Sequence, residues 1–570
     1  MIPVFARRVI PAARRARASG TAPFIAWLEA HAAATPDALC WELDEDRQSF
    51  SQVRSGARRA ARVLLDGGVR PGDVVALIGG NSPGYLQLLL AIGYAGGVAA
   101  LINPELRGEP LAHALAASNP RLTLVEQPSA AALTELARPE LSGPTLVFGP
   151  GELEERAAAA PEIASPLADP AGDFVYIFTS GTTGLPKPCR VRHERARAAA
   201  TIFGSAAFQF RAGDKLYCAL PLHHSSALLI GIGAALVAGV PVALRRKFSA
   251  REFAADLVRY RATATIYVGD VCRALVQGPP SAAELACRLR VAVGNGLGAD
   301  VWPEFARRFG QPTIREFYAS TEAPAAILNL TGTVGSLGHV PFARQRGFRL
   351  ARLDDELLEL RREGDGRARA PVDGEPGELL LRVFPSAREP HGAFAGYTDP
   401  VASERRMARD VFEVGDVYFR SGDLLRRDRH GYFFFVDRLG DGFRWKGENV
   451  SALEVERVLD QGLGFPGVAV FGVAVPGFPG KAGFAEVVAP GDFDVAVFAR
   501  AALALPAHAR PCFVRPVPRL DQTSTFKVKK RALELSSALG SSLVWVRQNG
   551  SYVVLTRELW DDLCRGQARL

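Results

Sequence analysis

Residues 179–187 contain four hydroxyl side chains, two glycines and a lysine. Glycines let a backbone turn tightly and bring its N–H groups close to an anion, while hydroxyls and a lysine ammonium add donors and positive charge. The spacing is neither that of a Walker loop nor that of a dinucleotide-binding loop, and an ordinary hairpin turn is the alternative interpretation. We therefore predict a cradle for phosphate oxygens made by Thr179, Ser180, Gly181, Thr182, Thr183, Gly184 and Lys187.

Short apolar segments that alternate with helical patterns must position this loop. An apolar run at 174–178 leads directly into the loop, and Val74–Ile78, Val98–Ile102 and Thr145–Phe148 have the same buried-strand character. Strands joined in this way by helices form mostly parallel sheets through right-handed crossovers. Because the alternation resumes after the loop, the sequence predicts an α/β fold with two βα-layered subdomains.

The pattern changes in the last two fifths of the chain. Short strands broken by glycine, proline and charge clusters occupy 345–436, which is typical of a small antiparallel barrel. A mixed segment of helices and strands follows and is long enough to fold as its own α+β domain. We predict a basic tail over 1–20, a large N-terminal domain over 21–436 and a small mobile C-terminal domain over 437–570, with 150–172 as a connector.

The charge balance argues against nucleic acid as a partner. The chain has a formal charge of +8, and the segment 1–20 carries five arginines and no acid, so the rest of the chain is close to neutral. A nucleic-acid site needs a basic face or groove, which this pattern lacks. The tail itself is a candidate for peripheral contact with an anionic membrane, and a tail without a role is the alternative.

Cysteine and hydropathy patterns indicate a reducing, cytoplasmic location. The seven cysteines have no paired spacing, which argues against a disulfide framework and a zinc site. No export signal is evident at the N-terminus. The segments 85–103 and 228–244 approach membrane-spanning length, but each is interrupted by glycine and by a polar residue or proline. We expect both to be buried core elements, with a spanning helix as the alternative.

Lysine is scarce, so its positions are informative. Only eight of the 68 basic residues are lysine. Lysine offers a compact, mobile ammonium where the planar fork of arginine does not serve. Lys187, Lys446 and Lys527 all lie in loops rich in small or polar residues, and they are therefore candidates for charge-stabilising roles.

Two further segments have residue types suited to a nucleotide. Tyr318 offers a flat face on which a purine can stack, Thr321 offers a hydroxyl, and Glu322 offers a hard oxygen to Mg²⁺. Asp423 in an SGD turn can accept hydrogen bonds from ribose hydroxyls. An ordinary surface loop and a β-turn are the respective alternatives. In combination with a phosphate cradle, these residues predict a purine nucleotide site.

Ordered motifs over nearly the whole chain strengthen this prediction. They read TSGTTGLPK, PLHHSSALLIGIGAALVAG, VAVGNGLGADVW, REFYASTE, FRSGDLLRRDRHGYFFFVDRLGDGFRWKGEN and TSTFKVKK. This series resembles the adenylate-forming superfamily of acyl-CoA synthetases, luciferases and adenylation domains, and within it the fatty acid transport protein and very-long-chain acyl-CoA synthetase family. The resemblance implies that ATP and a fatty acid give acyl-AMP and pyrophosphate, and that CoA thiol then displaces AMP.

The resemblance also implies roles for individual residues. The cradle residues match the phosphate loop, Thr321 and Glu322 match the phosphate and magnesium residues, and Asp437 matches the hinge of the small domain. Lys527 matches the lysine of adenylation, and Lys446 matches the loop of thioester formation. His224 matches a position that borders the acyl site, with a core or surface histidine as the alternative. The remaining nucleotide contacts would be Gly294, Asn295, Gly296, Tyr318, Asp423 and Arg438.

The chain departs from the family pattern near the acyl site. Ala323, followed by Pro324, stands where the family usually has glycine, and Cys189-Arg190 and Gly298 are also atypical. The resemblance favours a long-chain or very-long-chain fatty acyl-CoA synthetase. A fatty acyl-AMP ligase that loads a carrier protein and a membrane-associated uptake factor are the alternatives. The presence of both Lys446 and Lys527 weighs against the last.

Overall fold

The computed structural model describes residues 2–18, 22–180, 185–354, 359–384, 394–439, 442–445, 448–464, 467–476, 478, 480–489, 493–521, 543–565, 567–568 and 570. The chain forms two compact units. Unit 1 comprises Met1–Phe348 and Leu381–Arg420, and unit 2 comprises Arg349–Leu380 and Ser421–Leu570. This division differs from the predicted boundary at 437, because the chain passes between the units more than once. The predicted hinge at Asp437 stays a prediction.

The strands of the described residues are short and distributed along the whole chain. In order they are β1 Leu39–Leu43, β2 Asp46–Ser49, β3 Val74–Ile78, β4 Val98–Ile102, β5 Leu122–Glu126, β6 Thr145–Phe148, β7 Asp173–Ser180, β8 Pro186–Arg192, β9 Leu216–Cys218, β10 Val242–Leu244, β11 Ala264–Val268, β12 Val291–Asn295, β13 Thr313–Tyr318, β14 Ile327–Asn329, β15 Gly338–His339, β16 Phe348–Ala351, β17 Pro376–Arg382, β18 Met407–Arg409, β19 Val417–Arg427, β20 Tyr432–Arg438, β21 Phe443–Trp445, β22 Glu448–Val450, β23 Val468–Ala474, β24 Lys481–Val488, β25 Phe513–Val517, β26 Trp545–Gln548 and β27 Ser551–Val554.

The helices of the described residues belong to both units, and those of unit 1 alternate with its strands. In order they are α1 Ile2–Ala18, α2 Ala26–Ala34, α3 Phe50–Asp66, α4 Pro83–Tyr94, α5 Gly108–Ser118, α6 Ala130–Leu136, α7 Pro139–Ser142, α8 Glu152–Ala159, α9 His193–Ile202, α10 Gly233–Ala238, α11 Phe253–Arg259, α12 Gly269–Gln277, α13 Ala282–Ala286, α14 Val301–Arg308, α15 Pro400–Glu404, α16 Ala452–Leu463, α17 Val495–Ala502 and α18 Arg557–Cys564. Two π-helical segments, Phe203–Phe208 and Ser226–Ile232, extend α9 and precede α10.

The first sheet of unit 1 has the order β6-β5-β3-β4-β7-β8. All of its neighbours pair in parallel except β7 and β8, which form an antiparallel hairpin. The central strands β3 and β4 consist of apolar residues on both faces and are almost completely buried, as expected for strands covered by helices on both sides. The predicted parallel βα layer is confirmed.

The second sheet of unit 1 has the order β14-β13-β12-β11-β9-β10-β1-β2. It is parallel from β13 to β1 and ends in an antiparallel strand at each edge. Because the chain leaves each parallel strand at the same edge, the residues that follow β9, β12 and β13 lie close together. That edge carries much of the predicted site.

Short antiparallel strands occupy the region predicted to be a small barrel. In unit 1, β18 pairs with β19. In unit 2, β19 pairs with β20 with a register shift between Leu424 and Leu425, the kind of irregularity that bends a sheet. Curvature of this kind is what the predicted barrel requires.

Unit 2 also contains a five-stranded sheet in the order β23-β24-β25-β26-β27. Its core is built from residues of the strands and from α16, α17 and α18, with Phe484, Phe498 and Phe513 completely buried. Mixed parallel and antiparallel pairing with helices confirms that this part is α+β.

Two segments differ from the expectations. The segment 1–20, predicted as a tail, contains the helix α1, and the connector 150–172 contains the helix α8. The segments 85–103 and 228–244 hold buried helices and strands of unit 1, as expected. Among the described residues, no helix combines the length and the apolar character needed to cross a membrane.

Candidate active site

The hairpin of β7 and β8 carries the predicted phosphate cradle. Its register pairs Thr179 with Lys187 and Ser180 with Pro186, so the two ends of the cradle lie opposite each other. Lys187 is half-buried. The Oγ1 atom of Thr179 is buried and has no hydrogen-bond partner among the described residues. A buried hydroxyl without a hydrogen-bond partner lowers the stability of a folded protein, and it suits a site that binds a polar ligand. Gly181, Thr182, Thr183 and Gly184 lie outside the described residues.

An ion pair fixes the base of this hairpin. Arg190 Nε on β8 donates to Asp173 Oδ2 on β7 at 2.7 Å. The Asp173 side chain is buried, whereas that of Arg190 is 37% exposed, so the pair is only partly shielded from water. The atypical Arg190 therefore ties the two strands of the hairpin together.

Glu322 lies in a buried polar cluster. It is only 5% exposed, Tyr397 Oη donates to its Oε1 at 3.2 Å, and Arg406 Nη2 lies 3.6 Å from the same oxygen. Cys189 packs against Tyr397, and burial together with the charge of Glu322 raises the pKa of its thiol to about 12. The thiol of Cys189 is therefore neutral where it borders this cluster.

The donor set at Glu322 suits a magnesium ion that is shared with phosphates. The described residues contain no group of three or more acidic, histidine or cysteine side chains that could hold a metal by themselves. Mg²⁺ commonly uses one or two carboxylates and completes its shell with phosphate oxygens and water. The single buried carboxylate of Glu322 fits that requirement if the hairpin loop binds phosphate as predicted.

Thr321 connects two loops of the site. Its hydroxyl lies 2.9 Å from that of Ser225, which directly follows His224. His224 is half-buried, and the centre of its ring lies 4.2 Å from that of His223, with the two ring planes inclined by 49°. Burial and the neighbouring His224 lower the pKa of His223 well below its usual value, so His223 is neutral. The structure therefore brings His224 next to the Thr321 loop, and its role at the border of an acyl site stays a prediction.

A side chain that sequence reasoning missed holds the histidine loop. The amide of Asn81 accepts from Leu222 N and donates to Leu220 O and Arg245 O, each at 2.9 Å. Asn81 follows β3 in the first sheet, whereas its partners follow β9 and β10 in the second. It is 3% exposed, so these bonds are made away from water, where a broken one is costly.

The predicted adenine segment lies at the end of β12, beside the end of β13. Gly294 and Asn295 end β12, and Tyr318 ends the neighbouring parallel strand β13. Glu316 of β13 accepts hydrogen bonds from Gly296 N and Leu297 N, both at 3.0 Å. The structure therefore places Gly294, Asn295 and Tyr318 at one sheet edge, and their contact with adenine stays a prediction.

Glu316 is a second residue that sequence reasoning missed. It also accepts a hydrogen bond from Tyr267 Oη at 2.8 Å. Burial raises its pKa to about 8, and its three donors oppose that shift. The sequence did contain a signal for this residue, namely a glutamate within a strand of mostly buried residues. A buried carboxylate needs hydrogen-bond donors around it.

Gly294 cannot carry a side chain without moving its neighbours. A Cβ atom there would lie 2.3 Å from Tyr267 O and 2.4 Å from the Tyr267 ring. We expect Gly294→Ala to lower the free energy of unfolding by about 1–3 kcal/mol and to weaken ATP binding, measured by thermal denaturation with and without ATP. The matched control is Gly84→Ala in α4, where a Cβ meets nothing within 4 Å. Equal melting temperatures for the two variants would contradict this account.

Unit 2 brings together the predicted ribose residues. Asp423 on β19 and Arg438 on β20 are register partners, and Arg438 Nε lies 3.4 Å from Asp423 Oδ1. Asp437 precedes Arg438 and accepts a hydrogen bond from its backbone N–H at 2.8 Å. Asp423 is mostly buried. Lys446 and Lys527 lie outside the described residues.

A cavity of about 350 Å³ lies within unit 1 and is mostly apolar. Its apolar lining includes Ile202, Phe203, Leu229 and Phe317, and its polar lining includes Ser225 and Thr321. The size and the mixture are typical of a small-molecule site. Ala323 and Pro324, the atypical pair, also line it. The cavity therefore has mostly apolar walls and also reaches Thr321, which precedes Glu322 in the same loop.

Arg195 on α9 is a third residue that sequence reasoning missed. It lines the cavity, and its Nη2 donates to Ala323 O at 2.6 Å. Its Nη1 is buried and has no hydrogen-bond partner among the described residues, and burial lowers the pKa of the guanidinium. A buried cation of this kind favours an anionic ligand.

Comparisons with known proteins agree with this geometry. Residues 28–384 match the model of the AMP-binding enzyme family. Long-chain fatty acid transport protein 1 of Mus musculus is 37% identical over 93% of this chain and 84% of its own length. The medium/long-chain-fatty-acid–CoA ligase FadD6 of Mycobacterium tuberculosis is 36% identical over 89% of this chain and 84% of its own.

Solved structures share the fold, which confirms the predicted fold class. ATP-bound MatB from Rhodopseudomonas palustris superposes with a TM-score of 0.72 at 24% identity, covering 87% of this chain and 94% of that one. A Mycobacterium tuberculosis fatty acyl CoA synthetase superposes with a TM-score of 0.63 at 23% identity, covering 89% and 96%. The chain therefore belongs to the AMP-binding enzyme family and is a relative of the long-chain fatty acid transport proteins.

Proposed function

We propose that the chain is an ATP-dependent fatty acyl-CoA synthetase for long-chain or very-long-chain acids. The observation that carries the proposal is the cavity of unit 1, because one lining combines apolar side chains with Thr321, the neighbour of Glu322 in the chain. A hydrocarbon chain needs the first surface and phosphoryl chemistry needs the second. The names of the relatives, which include a fatty acid transport protein and a fatty-acid–CoA ligase, support the same substrate class.

The first step would join the acid to the nucleotide. A carboxylate oxygen of the fatty acid attacks the α-phosphorus of ATP, and the bond to pyrophosphate breaks. Negative charge that develops on the phosphate would be stabilised by the donors of the hairpin loop and by Lys187. Glu322 would hold Mg²⁺, which supplies further charge stabilisation. Tyr318 and the segment Gly294–Gly296 would bind the adenine, and Asp423 and Arg438 the ribose.

The second step would transfer the acyl group to CoA. The thiol of CoA loses its proton to solvent, the sulfur attacks the acyl carbon, and the bond to AMP breaks. Lys446 would serve this step and Lys527 the first, with rotation about Asp437 between them. Peripheral contact between the exposed arginines of α1 and an anionic membrane is part of the same proposal, since each arginine near such a surface contributes about 1 kcal/mol.

Mass spectrometry of the products tests the proposal directly. The protein is incubated with ATP, Mg²⁺, CoA and a series of straight-chain acids from hexanoate to long chains. Acyl-CoA and AMP are the expected products, and both should depend on the acid. Acyl-AMP without acyl-CoA would overturn the assignment of the acceptor and favour carrier-protein loading. A lack of acid-dependent AMP would overturn the function as a whole.

Arg195 gives a more specific prediction. Its guanidinium would bind a carboxylate oxygen of the acid, an interaction typically worth about 1.5–3 kcal/mol for a charged group. We therefore expect Arg195→Met to raise the KM for the fatty acid roughly 10- to 100-fold and to leave the KM for ATP nearly unchanged. Steady-state kinetics with each substrate varied in turn measures both. Arg251→Met, at a side chain that is 92% exposed, is the control, and equal shifts in both KM values would contradict the assignment.

A further inference from the structure

The helix α1 has two chemically different faces. Five of its residues line the cavity of unit 1, namely Val4, Phe5, Val9, Ala13 and Arg17. Ala12 and Ala16 are buried on the same side. The spacing of four residues from Phe5 through Val9 and Ala13 to Arg17 puts these side chains on one stripe of the helix, with Ala12 and Ala16 beside them. The segment that sequence analysis treated as a basic tail therefore supplies one wall of the cavity.

The opposite face of α1 is basic and exposed. Arg7, Arg14 and Arg15 point to solvent, and Ile10 on the same side is 39% exposed. The arginines therefore keep this face in water while the apolar stripe covers the cavity. A helix with this division is stable only when its apolar stripe is covered, because a segment of this length is marginal by itself in water.

Contacts with the rest of unit 1 anchor the wall. The helix packs on α9 and on the π-helical segment Phe203–Phe208, both of which also line the cavity. The guanidinium of Arg346 lies 4.6 Å from the centre of the Phe5 ring, at a distance where a cation and an aromatic face attract each other. The family match begins at residue 28, so α1 precedes the segment that defines the family.

We propose that α1 determines the acyl chain length that the enzyme accepts, by forming the wall against which the hydrocarbon of the substrate packs. This inference rests on the proposed function and extends it to substrate selection. Long acids would contact Phe5, Val9 and Ala13, whereas short acids would not need them. Each methylene group that loses such a contact weakens binding about fourfold.

Ala13→Phe tests the proposal, because it replaces a methyl group at the cavity wall with a ring. We expect kcat/KM for palmitate to fall tenfold or more, through the KM for the acid, while kcat/KM for hexanoate changes less than twofold and the KM for ATP stays the same. The matched control is Ile10→Phe, on the exposed face of the same helix, which should keep the wild-type profile.

A second variant guards against misfolding of the first. Removal of residues 1–20 opens the wall, and we expect the preference for palmitate over hexanoate to fall at least tenfold, while the melting temperature of the shortened protein establishes that it is folded. A palmitate analogue with a diazirine on its chain should also label peptides from 2–18 in the wild-type protein, and this readout needs no turnover.

The outcomes separate this proposal from the proposed function. If the wild-type protein activates acids but all the variants keep its chain-length profile, α1 has no role in selection and the proposal is overturned. Labelling that avoids residues 2–18 would overturn it as well. If the wild-type protein activates no acid, the proposed function fails, and labelling of α1 would still show that the cavity binds a hydrocarbon chain.

Discussion

Glu322→Gln is expected to lower fatty-acid-dependent exchange between ATP and pyrophosphate by two to three orders of magnitude. The substitution keeps the shape of the side chain and its contact with Tyr397 Oη, but it removes the charge that would hold Mg²⁺. Loss of one preorganised group that stabilises transition-state charge typically costs about 3–4 kcal/mol, which corresponds to this effect. The measurement is the exchange rate over a titration of Mg²⁺.

The buried position of Glu322 makes a control necessary. Glu304→Gln removes a carboxylate whose side chain is 40% exposed and paired with Arg307 on the surface of α14, and it should leave the exchange rate unchanged. Thermal denaturation establishes whether the Glu322 variant is folded. A folded Glu322→Gln protein that exchanges at the wild-type rate would remove Glu322 from the metal site.

Lys527→Ala and Lys446→Ala are expected to block different half-reactions. By the resemblance of their motifs, Lys527 would hold the carboxylate and α-phosphate oxygens during adenylation, and Lys446 would belong to the loop that serves the thiol. Lys527→Ala should lower acyl-AMP formation by a few hundredfold and still convert supplied acyl-AMP and CoA into thioester. Lys446→Ala should form acyl-AMP and stall. Single-turnover assays of each half-reaction measure both effects.

Asp437→Pro extends this prediction to the hinge. Proline fixes φ, and at the pivot it should impair the change from the first step to the second, so the variant should resemble Lys446→Ala. Proline in β20 can also weaken the pairing with β19, so the melting temperature of this variant is measured in parallel.

If both lysine variants lose the two half-reactions in equal proportion while they remain folded, the assignment of separate roles is wrong.

The sequence was most informative where local pattern and tertiary environment agree. β3, β4 and β6 begin and end where they were predicted, because a short apolar run between turn signals has few other uses. The helix α1 was missed because its sequence is rich in arginine and contains Pro11, and its stability depends on a cavity that local pattern does not reveal.

The residues of the candidate site also fall into those that local pattern predicts and those that it does not. Residues within one motif, such as Thr321 and Glu322, could be proposed from their types and neighbours. Arg195, Glu316 and Asn81 could not, because their roles depend on partners far away in the chain: Arg195 contacts Ala323, 128 residues later, and Asn81 contacts Leu222, 141 residues later. Such pairings follow from sheet order, which periodicity does not determine.

The amide of Asn81 has a mechanical consequence for unit 1. Its three hydrogen bonds join the end of β3 in the first sheet to the ends of β9 and β10 in the second. Sliding of one sheet along the other would break all three bonds in a buried place, at a cost of about 1 kcal/mol or more for each. These bonds therefore oppose relative movement of the two sheets at this point, which lies in the same loop region as the Ser225–Thr321 contact.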